Sequence, residues 1–312
     1  MTEAFDGIFY GFDKAVATFI QSLATVFPAM QGVFDAIFLF FTLFGEELVV
    51  LLVIASVYWC IDKKKGEFLI MSLLVSLAAN EIIKDSVRRL RPFLNERFSD
   101  LRYVKNDGFI ANTVELKDSF SFPSGHSQCA VALYGGLAVS YKKKAVTIVG
   151  IIAIFAVMLS RVYLGVHYAT DVIVGAILSL LITLLLYYLL NKFYEKRFYI
   201  IAAAALVQVP FLFLNPSSDT VKTAAITFGV LIGIFCENKF IGYGTDVKIS
   251  FKILRMVIGL TLLGAVKFGF KALLPSGLIS SGITYFLIGV IAMFFVPLIF
   301  TTIEKAGVKK TK

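Results

Sequence analysis

A chain with only two histidines sets both of them beside groups that could make them reactive. His167 precedes Asp171 by four residues in the stretch SRVYLGVHYATD, Ser160 to Asp171, which also carries Arg161. Residues spaced by four share a face of any helix that begins near His167. A carboxylate so placed can hold one imidazole nitrogen and leave the other free as a nucleophile. Asp171 falls inside an apolar run, where an unpaired carboxylate is costly, so His167 is its expected partner. A structural His–Asp pair joining two helices is the plainer alternative.

The second histidine closes the tetrapeptide Pro123-Ser124-Gly125-His126, a turn that delivers the chain into an apolar run. A helix starting near His126 would present free N–H groups and a positive dipole end, which favour phosphate. Gly125 permits close backbone approach, the Ser124 hydroxyl adds a donor, and His126 could protonate a leaving oxygen. An ordinary polar turn with an interfacial histidine is the alternative. A third cluster, KDSVRRLRP, runs from Lys84 to Pro92. Lys84 and Arg91 are seven apart, two helical turns, so they project from one face as an anion clamp before Pro92 ends the helix. Snorkelling cations at a helix end would look the same.

These clusters must be positioned by membrane helices. The chain is 58% hydrophobic and 16% charged, against about 25% charged in an ordinary soluble domain. Its apolar residues collect in runs of about 16–25, long enough to cross a hydrocarbon core of roughly 30 Å. The runs predict an all-α, polytopic transmembrane helical bundle with spans near 29–44, 47–62, 66–90, 126–141, 144–163, 168–190, 198–215, 219–238, 252–274 and 278–303. Residues 8–27, with Asp13 and Lys14 and a stop at Pro28, suit a helix lying in the interface better than a span. The acidic start, Glu3 and Asp6, lacks the basic n-region of a signal peptide.

Lysines and arginines mark every second connection: Lys63–Lys65, Lys142–Lys144, Lys192 to Arg197, Lys239 to Lys252, and the tail from Lys305. This bias predicts cytoplasmic termini, and it places residues 91–125 and the 163–168 junction together on the extracytoplasmic face. It also accounts for the net charge of +9 without a nucleic-acid partner. Three scattered cysteines, Cys60, Cys129 and Cys236, make neither a disulfide framework nor a metal cluster. There is no HExxH and no glycine-rich nucleotide loop, so no metal and no cofactor are expected. Oligomeric state leaves no signal. One carboxylate-backed histidine, a second histidine and several cations on one membrane face suit metal-free phosphoryl transfer.

In combination the three clusters, K-x6-R-P, P-S-G-H and S-R-x5-H-x3-D, resemble the signatures of the type 2 phosphatidic acid phosphatase superfamily, in the right order and without substitution. The resemblance implies a six-helix phosphatase core over residues 29–192; the 1–28 segment precedes it, and the apolar runs of residues 193–312, about four further helices, depart from that minimal pattern. The resemblance also implies His167 as nucleophile oriented by Asp171, and His126 as general acid. Lys84, Arg91, Ser124, Gly125 and Arg161 become phosphate ligands. The expected activity is hydrolysis of a lipid phosphomonoester or diphosphate in a bacterial plasma membrane. Turnover of a soluble sugar phosphate in the manner of glucose-6-phosphatase, transfer of the phosphoryl group to a second acceptor, and lipid transport without cleavage are the alternatives. Glu46 and Glu47, on the same face, are left outside the site.

Overall fold

The computed structural model describes residues 2–104, 120–214 and 217–310. Lys105, Asp107 and Glu115 of the 91–125 stretch, and Asn215, lie outside the described residues. The helices are α1 (Thr2–Val26), α2 (Gln31–Thr42), α3 (Glu47–Ser56), α4 (Lys63–Val87), α5 (Gly125–Ala130), α6 (Gly136–Tyr141), α7 (Lys144–Tyr163), α8 (Ala169–Phe193), α9 (Arg197–Leu214), α10 (Ser218–Phe240), α11 (Ile249–Leu273), α12 (Leu278–Val290) and α13 (Val296–Lys310). No strand occurs among the described residues. Wider π turns at Val57–Ile61, Val131–Gly135 and Ile291–Phe295 extend α3, join α5 to α6, and join α12 to α13. Each of the ten apolar runs is helical over most of its described length, the run 66–90 stopping short at Val87. Seven stretches are long and apolar enough to cross a membrane, and one of them, Ala169–Leu214, holds both α8 and α9. The bundle is helical throughout, as the hydropathy pattern predicts.

The chain divides into two compact units, one of residues 1–51 and 79–187, the other of residues 52–78 and 188–312. In the first, Phe38 of α2 stacks on Tyr163 of α7 with ring centroids 4.0 Å apart, over a core with Ala24, Leu164 and Val166. The outer faces of α7 and α8 leave Ile152 and Leu181 exposed, the surface that lipid would cover. Helix α1 is tied to the segment after Pro92. The Gln21 amide donates to the carbonyls of Arg102 and Tyr163 at 2.8 and 2.9 Å and accepts from the Arg102 N–H at 2.9 Å. Lys14 pairs with Asp100.

Two glycines bring backbones into contact here. Gly165, in the junction between α7 and α8, has φ +72°, and a Cβ there would lie 2.3 Å from the Arg102 carbonyl oxygen. Gly175 of α8 lets that helix approach the Ser124 carbonyl, which a Cβ would meet at 2.8 Å. The first fixes the junction that carries His167; the second seats the turn that carries His126.

In the second unit, α10 and α12 cross where Gly289 faces Val230 N and Gly229 faces Phe286 O, contacts of 2.7 and 2.2 Å for an added Cβ. Small residues at such crossings let membrane helices approach closely. Its buried charges are paired, as a low-dielectric setting demands. Arg255 reaches Glu304 at 2.8 and 2.9 Å and the Trp59 carbonyl at 2.7 Å. Arg197 meets Glu67 at 3.1 Å, and Lys63 pairs with Glu237.

Candidate active site

Three breaks in the helices of the first unit build the site. The first break is at the end of α4. The sequence predicts a helix up to Pro92; the structure ends it at Val87, with Arg88 in the left-handed region at φ +54°. The Arg88 N–H still bonds the Lys84 carbonyl at 2.9 Å, a left-handed cap of the kind that closes many helices. The expectation that Lys84 and Arg91 share a helical face is therefore corrected. Lys84 stands in the last turn, and Arg91 lies beyond it in extended backbone (φ −72°, ψ 153°), which Pro92 favours in the residue before it. In an extended segment residues i and i+2 point the same way. Arg89 and Arg91 accordingly both turn inward, 0% and 4% exposed, while Leu90 between them is 50% exposed.

The second break is the turn into α5. The Ser124 N–H bonds the Asp171 carbonyl at 3.1 Å. The Ser124 hydroxyl oxygen caps α5, accepting from the Ser127 N–H at 3.4 Å and the Ser127 hydroxyl at 3.1 Å. Its own proton stays available to a ligand. A Cβ on Gly125 would meet only Asn80 Oδ1, at 3.7 Å, so protein atoms leave the space before it open. The His126 ring meets Glu46 through Nε2, 2.9 Å from Oε1. Burial would raise the Glu46 carboxyl, but the His126 hydrogen bond and the charges of His126 and Arg161 outweigh it and hold the group below its usual range. Glu46 is thus a carboxylate beside a histidine, not a remote charge.

The third break, between α7 and α8, holds His167 two residues ahead of α8. Its Nδ1 lies 3.3 Å from Asp171 Oδ2, so the four-residue spacing brings the pair together although His167 itself is not in the helix. Asp171 Oδ2 also accepts from the Tyr168 N–H at 3.0 Å and from the Ser121 hydroxyl. The opposite nitrogen, Nε2, faces Arg91 Nη1 at 3.3 Å, and that same Nη1 bonds the Val166 carbonyl at 2.9 Å. Burial, then Arg91, Arg161, Lys84 and His126, push the His167 imidazole well below its ordinary 6.5. These surroundings favour the neutral ring. Arg161 donates to Thr42 Oγ1 at 2.7 Å, and its Nε is buried with no hydrogen-bond partner. Lys84 Nζ touches Glu81 at 3.5 Å.

All eight residues singled out from the sequence lie in the first unit. The sequence reading missed four neighbours: Glu46 as the partner of His126, Ser121, Arg89 and Asp13. Arg89 donates to Asp171 Oδ1 at 2.8 Å and to Asp13 Oδ2 at 2.7 Å. The sequence does signal Asp13, a carboxylate in an apolar helix, but offers no way to see its partner 76 residues away.

Fold and site together define a class: a multi-pass helical membrane protein with a carboxylate-backed histidine among buried cations, a constellation made for an anionic group. The comparisons make this specific. The PAP2 superfamily model matches residues 67–195, and a second model, described as PAP2 superfamily phosphatase, transmembrane extension, matches residues 221–308. The chain belongs to the PAP2 superfamily. It is 36% identical over 127 residues to the phosphatidylglycerophosphatase B of Bacillus subtilis, covering 38% of this chain and 52% of that one. It is 32% identical over 118 residues to an undecaprenyl-diphosphatase of Sulfolobus acidocaldarius, covering 38% and 51%. The chain thus spans about half the length of these curated relatives. No solved structure matches.

Proposed function

We propose that the chain is a membrane phosphatase that hydrolyses a lipid phosphomonoester or diphosphate at the extracytoplasmic face, through a phospho-histidine and without a metal. The observation that carries the reading is the setting of His167: Nδ1 3.3 Å from Asp171, and Nε2 3.3 Å from Arg91 Nη1, a cation beside the attacking nitrogen. Asp171 accepts a hydrogen bond from the Nδ1–H and stabilises the positive charge that develops as Nε2 attacks phosphorus. The P–O bond to the lipid breaks, and the leaving oxygen takes a proton from His126. Glu46, 2.9 Å from Nε2 of His126, holds and orients that ring for the acid role. Water then attacks the phospho-histidine; His126, now neutral, takes the water proton, and phosphate leaves with His167 restored.

The phosphoryl oxygens fall to Lys84, Arg91, Arg161, the Ser124 hydroxyl and the Gly125 N–H. Such donors act strongly in a water-poor site, because they are fixed before charge develops. The unpartnered Nε of Arg161 supports this assignment, since a buried donor without a partner is costly unless a ligand fills it. The relatives' names support a substrate with a polyprenyl or diacylglycerol tail, and the alternating lysine loops support cytoplasmic termini. The test is phosphate release in detergent from phosphatidylglycerol phosphate, undecaprenyl diphosphate and glucose 6-phosphate. Turnover of a lipid substrate that His167→Ala abolishes is the expected result. Turnover of the sugar phosphate alone, or lipid turnover that survives the substitution, defeats the reading.

A further inference from the structure

Behind the histidine stands a second carboxylate, on a helix outside the family-matched region. Asp13 of α1 is fully buried, and so are Arg89 and Asp171. Asp13 Oδ2 accepts from Arg89 Nη2 at 2.7 Å, while Arg89 Nη1 spans to Asp171 Oδ1 at 2.8 Å. Thr170 closes the ring: its N–H donates to Asp13 Oδ1 and its hydroxyl to Asp13 Oδ2, both at 2.8 Å, and it accepts from Arg89 at 2.7 Å. The Arg89 guanidinium also lies over the Tyr168 ring, 3.7 Å from its centroid. Direct side-chain contacts thus link α1 to the imidazole through Arg89 and Asp171.

The charge arithmetic gives this chain a sign. Arg89 alone would neutralise Asp171 and leave the imidazole without a net negative partner as it becomes cationic. Asp13 adds a second negative charge, so the buried trio carries a net −1 facing His167. Among the described residues, Arg91, Arg161, Lys84 and His126 act on His167 from the other direction and disfavour its positive charge. We propose that Asp13 is a positioning residue of the reaction, which offsets Arg89 and thereby leaves Asp171 free to stabilise a positive charge on His167. The proposal rests on the reading of His167 as nucleophile. It also makes α1 part of the catalytic unit, gripped there by Asp13, Lys14 and Gln21.

The test compares Asp13→Asn, the double variant Asp13→Asn with Arg89→Gln, and His167→Ala in the full-length protein, with a lipid phosphate as substrate. Asn keeps the shape of Asp13 and removes its charge, so the trio becomes neutral. The expected result is a fall in kcat of about 10- to 100-fold, the range seen when a residue that orients a functional histidine is lost, with KM little changed. The acid limb of kcat against pH moves to lower pH, because a less well-backed imidazole binds its proton more weakly. The double variant restores the net −1, and its kcat is expected to rise above that of Asp13→Asn; a purely structural role predicts the reverse. A single variant with wild-type kcat, or a double variant slower than the single, overturns the proposal. If the single variant does not accumulate, a folded double variant as slow as His167→Ala overturns it, and one that turns over upholds it. Loss of folded protein in both makes Asp13 a residue of the fold and overturns it too. Activity surviving in His167→Ala refutes the nucleophile itself, an outcome separate from all of these.

Discussion

In the proposed mechanism His167 must be neutral to attack and stabilised once it becomes cationic, and its neighbours suit those two tasks. Burial and nearby cations lower the ring's affinity for a proton; Asp171 at Nδ1 is placed to answer the charge that attack would create. With its pKa held well below 6.5, the nucleophile is lost only as pH falls through that lowered value. The limb of kcat/KM that follows His167 is therefore expected below pH 6.5, separate from the limb on which His126 must keep its proton; a His167 limb at or above 6.5 contradicts this. Asp171→Asn leaves a side chain of the same shape but no charge. A loss of about 10³- to 10⁴-fold in kcat is expected, by analogy with other carboxylates that hold a catalytic imidazole, and a loss of only a few-fold argues against the assignment. The pairing of His167 with Asp171 was legible because four residues is a contact distance in sequence. Those of Asp13 with Arg89 and of Glu46 with His126 were not, because they join residues 76 and 80 positions apart. No local pattern encodes them.

Helices were legible wherever a long apolar run had to satisfy its own backbone in lipid. Their ends were less so. Pro92 suggested a helix through Leu90, yet the backbone turns at Arg88 without the glycine that usually marks such a cap. That unwinding is what directs both Arg89 and Arg91 inward, so the local misreading falls on the site itself. Gly165 is the opposite case, a residue whose type announces its conformation. Its φ of +72° and the 2.3 Å contact awaiting a Cβ predict that Gly165→Ala costs at least about 1–2 kcal/mol, the penalty of a left-handed backbone with a side chain. The expected readout is a lower melting temperature in detergent together with reduced turnover, since His167 lies two residues on. An unchanged melting temperature would show that the junction relaxes freely.

At the scale of the whole molecule, the proposed topology puts the breaks after α4, before α5 and between α7 and α8 on the face away from the lysine loops. In intact cells a cysteine placed at Leu101 is expected to react with a membrane-impermeant thiol reagent, and one at Lys143 is expected to stay protected until the membrane is opened. The reverse pattern inverts the topology. No three His, Cys, Asp or Glu side chains gather into a metal site among the described residues, and phosphate release is expected to be unchanged by a chelator; loss on chelation with recovery on added magnesium contradicts the metal-free mechanism. The most direct test of the account is a rapid acid-free quench of the protein with a lipid substrate labelled in the scissile phosphate. The account predicts label on His167, stable in base, labile in acid and missing from His167→Ala. Turnover with no label on the protein, or label that persists in His167→Ala, would contradict it.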